Sequence, residues 1–209
     1  MNHLRIGCAA AALGLLLAAG CGKSGAPSAG RTGRPGGEAG SIYRVADHWA
    51  DVSKYWQLFG KERQPCEAGW ISEVPQLYSN GMPYAKFQTI KDTTIMAVPA
   101  YSPDNAVGDT ILSMSVSLPN EPSKMTFGAF LLQTTPTPGG SDGVQYQIKI
   151  GDKKLFDQLI LAYQPQNQEV DLSNYAGQTV TIEMITGPGP AKNASADWAI
   201  WVDPKIVAK

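Results

Sequence analysis

Leu112-Ser113-Met114-Ser115-Val116-Ser117-Leu118 is the stretch that decides the fold. Four apolar side chains alternate with three serines, so an extended chain would put the apolar set on one face and the hydroxyls on the other. A helix would scatter both sets around its axis. The same period recurs on either side of the turn Pro119-Asn120-Glu121-Pro122. Met125, Phe127, Ala129 and Leu131 keep the alternation, while Phe130 and Leu132 make that strand apolar on both faces. After the loop Pro136 to Gly143, Val144, Tyr146, Ile148 and Ile150 alternate with Gln145, Gln147 and Lys149, and Gly151-Asp152 is a hairpin signal. Val180, Ile182 and Met184 alternate with Thr179, Thr181 and Glu183. Near the end, Trp198, Ile200 and Val202 face one way, Ala199 and Trp201 the other. Short alternating strands between Gly/Pro turns predict a mainly β protein, an antiparallel β-sandwich or jelly roll.

Upstream the period differs. Ile42, Val45, Trp49, Val52, Trp56 and Phe59 are spaced three and four apart ahead of Gly60. That spacing predicts a short amphipathic N-terminal helix within residues 42–59, although aromatic and β-branched residues also suit a strand.

The first twenty residues read as a secretory signal. Asn2, His3 and Arg5 precede an apolar stretch from Ile6 to Ala19. This stretch is shorter than the about 20 residues that span a hydrocarbon core. It ends in Leu17-Ala18-Ala19-Gly20-Cys21, which resembles a bacterial lipobox. The resemblance implies that Cys21 takes a diacylglyceryl group and becomes the new N-terminus. Several acyl chains together then anchor the protein. Residues 21–41 form the lipidated cysteine and a Gly/Ser/Pro tether, too poor in apolar side chains to pack. At random-coil scaling such a tether spans roughly 25 Å. Residues 42–209 remain as a single domain, enough for a real core. The protein is therefore expected in the bacterial cell envelope, exported and lipid-anchored on the outer or periplasmic side of a membrane.

The chain carries 17 basic and 18 acidic residues. That balance excludes the basic face of a nucleic-acid binder. Cys8 leaves with the signal and Cys21 is acylated, so Cys66 stays a free thiol. Burial as a small hydrophobe is its default reading.

From residue 90 to 207 the chain also has a family look. Asp142-Gly143-Val144 opens one strand and Leu155-Phe156 follows in the next. Then come Val170-Asp171-Leu172-Ser173-Asn174-Tyr175-Ala176-Gly177-Gln178-Thr179-Val180, Gly187-Pro188-Gly189-Pro190, Asn193-Ala194 and Asp197-Trp198-Ala199-Ile200-Trp201. Together these resemble the galactose-binding-like jelly rolls related to NPCBM carbohydrate-binding modules. In this pattern Gly177 takes a positive φ, Tyr175 plugs the sandwich end, and Asp197 ties the Gly187–Asn193 loop to the last strand. Where members often carry an acid before Gly-Pro, this chain has Thr186-Gly187. Jelly rolls of this type often hold a structural Ca²⁺, for which Asp142, Asp152 and Asp197 are the nearest candidates. None of them has the spacing of a calcium loop.

Catalytic signatures are scarce. His48 is the one histidine beyond the signal, and no G-x-S-x-G elbow, P-loop or G-x-G-x-x-G accompanies it. A Cys66–His48 pair is a formal alternative. The chain is read as a non-enzyme, with no cofactor beyond that Ca²⁺. Its expected partners are the membrane, through the lipid, and a glycan or cell-wall polysaccharide. Pyranose rings stack their C–H faces on exposed aromatics, so Trp201, Tyr101 and Trp70, with Asn193, are the expected ligand-binding residues. The alternative is a structural or protein-docking envelope lipoprotein without a sugar ligand.

Overall fold

A computed structural model describes residues 40–66, 84–90, 93–101, 106–132 and 140–209, with residues 84–90 and 101 as backbone only. The signal, Cys21, the tether up to residue 39 and Trp70 lie outside the described residues.

Twelve strands occupy the described residues: β1 Ser41–Arg44, β2 Ser53–Leu58, β3 Gln64–Pro65, β4 Tyr84–Ile90, β5 Thr94–Tyr101, β6 Val107–Ser117, β7 Ser123–Leu131, β8 Val144–Ile150, β9 Lys153–Ile160, β10 Gln166–Asp171, β11 Thr179–Pro188 and β12 Ala199–Ala208. Their antiparallel ladder runs β10-β7-β12-β5-β6-β11-β8-β9, with β1 on β12, β2 on β6, β3 on β2 and β4 on β5. β5 turns this single ladder into two layers. Its first residues, Thr94–Met96, pair with β12, and its last, Ala100 and Tyr101, pair with β6. One layer holds β10, β7, β12 and β1; the other holds β2, β6, β11, β8 and β9. The expected antiparallel sandwich is what forms.

The core follows the predicted alternation. Leu112, Met114, Val116, Val144, Tyr146, Ile148, Val180, Ile182 and Met184 of one layer pack on Met125, Phe127, Ala129, Leu131, Trp201 and Ile206 of the other. Trp201 is the centrepiece. Its ring meets Phe127 at 5.0 Å and Tyr146 at 4.8 Å, and its indole N–H donates to Thr186 Oγ1 at 3.0 Å. The Tyr146 hydroxyl crosses from the opposite layer. It donates to the Phe130 carbonyl at 2.6 Å and accepts the Ile200 N–H at 3.0 Å, linking β7 to β12. Burial pushes that phenol far above its ordinary range. Two smaller expectations hold: Gly177 has φ +72°, and Tyr175 packs partly buried against the main core.

Residues 42–59 depart from the helical expectation. They form β1, one 3-10 turn at Val45–His48, and then β2. Val45 and Val52 are buried, but Ile42 and Phe59 are 38% and 47% exposed, so the three-four spacing does not mark one face. Ladder bonds to β12 and β6 hold these segments extended, which suits their β-branched and aromatic content.

Candidate ligand-binding face

The outer face of β10, β7 and β12 follows from parity. Because Phe127 and Ala129 point into the core, Thr126, Gly128 and Phe130 point out. Register then sets two cross-strand rows. Asn167 lies opposite Gly128, which lies opposite Val202; Glu169 lies opposite Thr126, which lies opposite Lys205. Gly128 leaves the centre of the first row bare: a Cβ there would stand 3.0 Å from Val202 Cβ and 3.6 Å from Pro165 Cβ. Beside it β12 bulges between Val202 and Lys205. Asp203 takes φ +44° in the bulge and donates its N–H to the Thr93 carbonyl.

These features enclose a cleft of about 310 Å³ lined by Thr126, Gly128, Asn167, Gln168, Glu169, Val202, Asp203 and Lys205. The charges on this face are matched in place. Glu169 meets Lys124 at 2.8 Å, and Asp203 meets Arg44 at 2.8 Å and Lys205 at 2.7 Å. Farther along the same face, Met96, Val98 and Ile200 form a second apolar cluster, with Phe130, Trp198 and Val202 partly exposed around it. Amide, hydroxyl and paired-charge groups thus sit next to an apolar aromatic patch, without one dominant sign of charge.

The sequence-predicted aromatic platform is corrected here. Trp201 is 0% exposed; its face is the main core, and a ring with no free surface cannot stack on a ligand. The outward tryptophan is its neighbour Trp198, because period two groups residues by face without saying which face is packed. Tyr101 ends β5, and its side chain lies outside the described residues, as does Trp70. Asn193 is exposed, but its Oδ1 accepts the Ser195 N–H at 2.9 Å within its own loop, apart from the cleft residues. Gly128, Asn167 and Glu169 went unremarked in the sequence. The available signal was a glycine inside an alternating strand, which marks a bulge or a close approach.

Of the three acids considered for calcium, two meet. Asp152 is exposed in the β8–β9 hairpin turn. Asp142 and Asp197 come together where the loop before β8 meets the loop before β12. The Ser141 hydroxyl donates to Asp197 Oδ1 at 2.5 Å, and the Ala191 N–H donates to Asp142 Oδ2 at 3.0 Å. The Asp142 carboxylate thus holds the Gly187–Asn193 loop, and Asp197 links the end of that loop to β12 through its backbone, donating its N–H to the Ala194 carbonyl at 3.4 Å and accepting the Ala199 N–H at 3.0 Å. Asp142 Oδ1 and Asp197 Oδ2 are buried without a hydrogen-bond partner. Burial, with Asp142 beside it, pushes the Asp197 carboxyl up to about 7. Gly189 is packed tightly against these groups: a Cβ there would stand 2.4 Å from the Gly143 carbonyl and 2.7 Å from Asp142 Oδ2. Orphaned carboxylate oxygens are the kind of group a hard, oxygen-seeking cation takes. Among the described residues no group of three or more acidic, His or Cys side chains gathers, so backbone carbonyls and water would complete the shell.

The Cys66 thiol is partly buried against the core, and burial pushes it up to about 12. At neutral pH it is protonated and a poor nucleophile. His48 stacks on Tyr43 at 4.3 Å, with its Nδ1 3.9 Å from Asp51.

The fold and the cleft define an antiparallel β-sandwich with a polar groove on one outer sheet face. No protein-family profile matches the chain. An uncharacterized protein of Archaeoglobus fulgidus is 35% identical over 95 residues, 40% of this chain and 24% of its own length, so the match spans about a quarter of that relative. Among solved structures, a family 61 carbohydrate-binding module, TmCBM61, bound to β-1,4-galactotriose aligns at 14% identity and a TM-score of 0.40, over 57% of this chain and 73% of that one. A family 51 module of a Clostridium perfringens GH95 protein bound to methyl-galactose aligns at 15% identity and 0.40, over 74% and 79%. The tandem family 51 modules of a Streptococcus pneumoniae family 98 glycoside hydrolase align at 13% identity and 0.41, over 56% and 32%. Likeness at this level is one of outline and says nothing about ligand.

Proposed function

We propose that the chain is an exported lipoprotein, anchored through Cys21 and a tether over residues 21–41, whose sandwich is a non-catalytic module that binds carbohydrate on the outer face of β10, β7 and β12. One observation carries this reading: the Gly128-floored cleft presents Asn167, Glu169, Thr126 and Lys205 beside the partly exposed Phe130 and Trp198. Sugars need both kinds of surface, amide and charged groups for hydroxyls and an aromatic for the C–H face. The solved modules bound to galactotriose and methyl-galactose are bound to ligands of this class. The cleft supports the reading without them.

A glycan array and polysaccharide pull-down test it, using wild type and an Asn167→Ala, Lys205→Ala double variant. Two hydrogen-bonding groups worth about 1 kcal/mol each correspond to roughly a thirtyfold loss of affinity. Binding that ignores this double change would reject the face. No binding to any glycan would instead favour a structural or protein-docking role. The exposed Leu132, Leu159 and Leu161, the last two packed beside Gly143, are the surface that a protein partner would cover.

A further inference from the structure

We propose that the saccharide taken by the cleft carries an alkyl chain, as a glycolipid does, with the sugar over Gly128 and the chain laid along β7 to Leu132. The inference rests on the carbohydrate reading and adds the class of ligand to it. Three successive outward positions of β7 change character in one direction. Gly128 floors the polar row between Asn167 and Val202. Phe130 follows, opposite Ile200. Leu132 comes last; it continues the ladder, donating its N–H to the Trp198 carbonyl at 2.8 Å, and is 38% exposed. At about 3.4 Å per residue these rows cover about 14 Å, longer than the face of one pyranose ring. The far rows do not suit a second sugar. Its rim of hydroxyls would leave water and need partners, whereas Phe130, Ile200, Met96, Val98 and Leu132 offer no hydroxyl, amide or charge. Leu132 also lacks a flat ring on which a sugar could stack. An alkyl chain has neither need, because it gains from any apolar surface it covers. That surface is firm: Phe130, Trp198 and Val202 pack against the buried Met96, Val98 and Ile200. It is also continuous with the polar site, since Val202 belongs to both.

The test uses the full chain carrying Cys21→Ser, which keeps its own acyl groups out of the measurement. The probes are paired methyl and octyl β-glycosides of glucose, galactose and N-acetylglucosamine, the octyl forms kept below micelle formation. Tryptophan emission, with Trp198 on the strip, and saturation-transfer NMR read the binding. Each CH₂ taken from water corresponds to about a fourfold gain in affinity, so a chain with about three of them covered should bind roughly fiftyfold tighter than its methyl partner. Leu132→Ser should cut that ratio several-fold and leave the methyl form unchanged. Asn167→Ala should weaken both forms alike. Equal binding of methyl and octyl forms would overturn the proposal and leave the sugar cleft standing, as would a ratio that Leu132→Ser does not move. Octyl binding indifferent to Asn167→Ala would mean a bare alkyl site and overturn both readings. If none of the probes binds, the glycolipid class is rejected, and the glycan array decides the cleft by itself.

Discussion

Single residues in this sandwich carry consequences that differ by what surrounds them. Trp201→Ala should cost about 3–5 kcal/mol, because it empties the space between Phe127 and Tyr146 and strands the Thr186 hydroxyl. Urea unfolding should show this as an early midpoint, and any loss of ligand binding should follow from unfolding. Asp109 makes a pH-dependent case. It sits over Gly187, and burial pushes its carboxyl up to about 6 against the pull of Lys154, Lys149 and Arg63. A raised carboxyl binds its proton more tightly folded than unfolded. Its penalty is therefore absent below about pH 4, grows as pH rises, and is complete above about pH 6, at up to about 3 kcal/mol. Asp109→Asn should remove that slope: the stability gap between variant and wild type, measured in urea, should widen from pH 4 to pH 7. An unchanging gap would mean that the carboxyl titrates at its ordinary value.

At the scale of elements, the strands were legible and their outward chemistry was not. Alternation at Leu112–Leu118 located β6 because period two is a local property of adjacent side chains. Phe130 on the far side of β7 was likewise visible as a break in that pattern. The cleft needs Asn167, Gly128 and Val202 in one row, and that register is set by pairings between strands far apart in sequence. No local period reports it. The choice between Trp198 and Trp201 failed for a related reason, since only the opposing layer decides which face of β12 is packed. Residues 42–59 misled through spacing that suits a helix in a segment whose partners, β12 and β6, are elsewhere in the chain. Gly128 is the element-level test. Gly128→Ala puts a methyl against Val202 on the cleft floor and should leave the melting temperature within a few degrees while weakening glycan capture several-fold. A variant that binds as tightly as wild type would place the ligand elsewhere.

For the whole molecule, the membrane reading rests on residues 1–41, and among the described residues no helix is long and apolar enough to cross a bilayer. Cys21→Ser should shift the protein from the detergent phase to the aqueous phase in a Triton X-114 partition; a variant still found with detergent would refute the lipid anchor. The pairing of β1 with β12 has a mechanical meaning. Ser41 lies across from Val207, two residues before Lys209, so a load applied between these ends opens the ladder like a zipper, one hydrogen bond after another, instead of shearing many at once. Stretched that way, the first strand would peel at low force while the two packed layers behind it kept their grip.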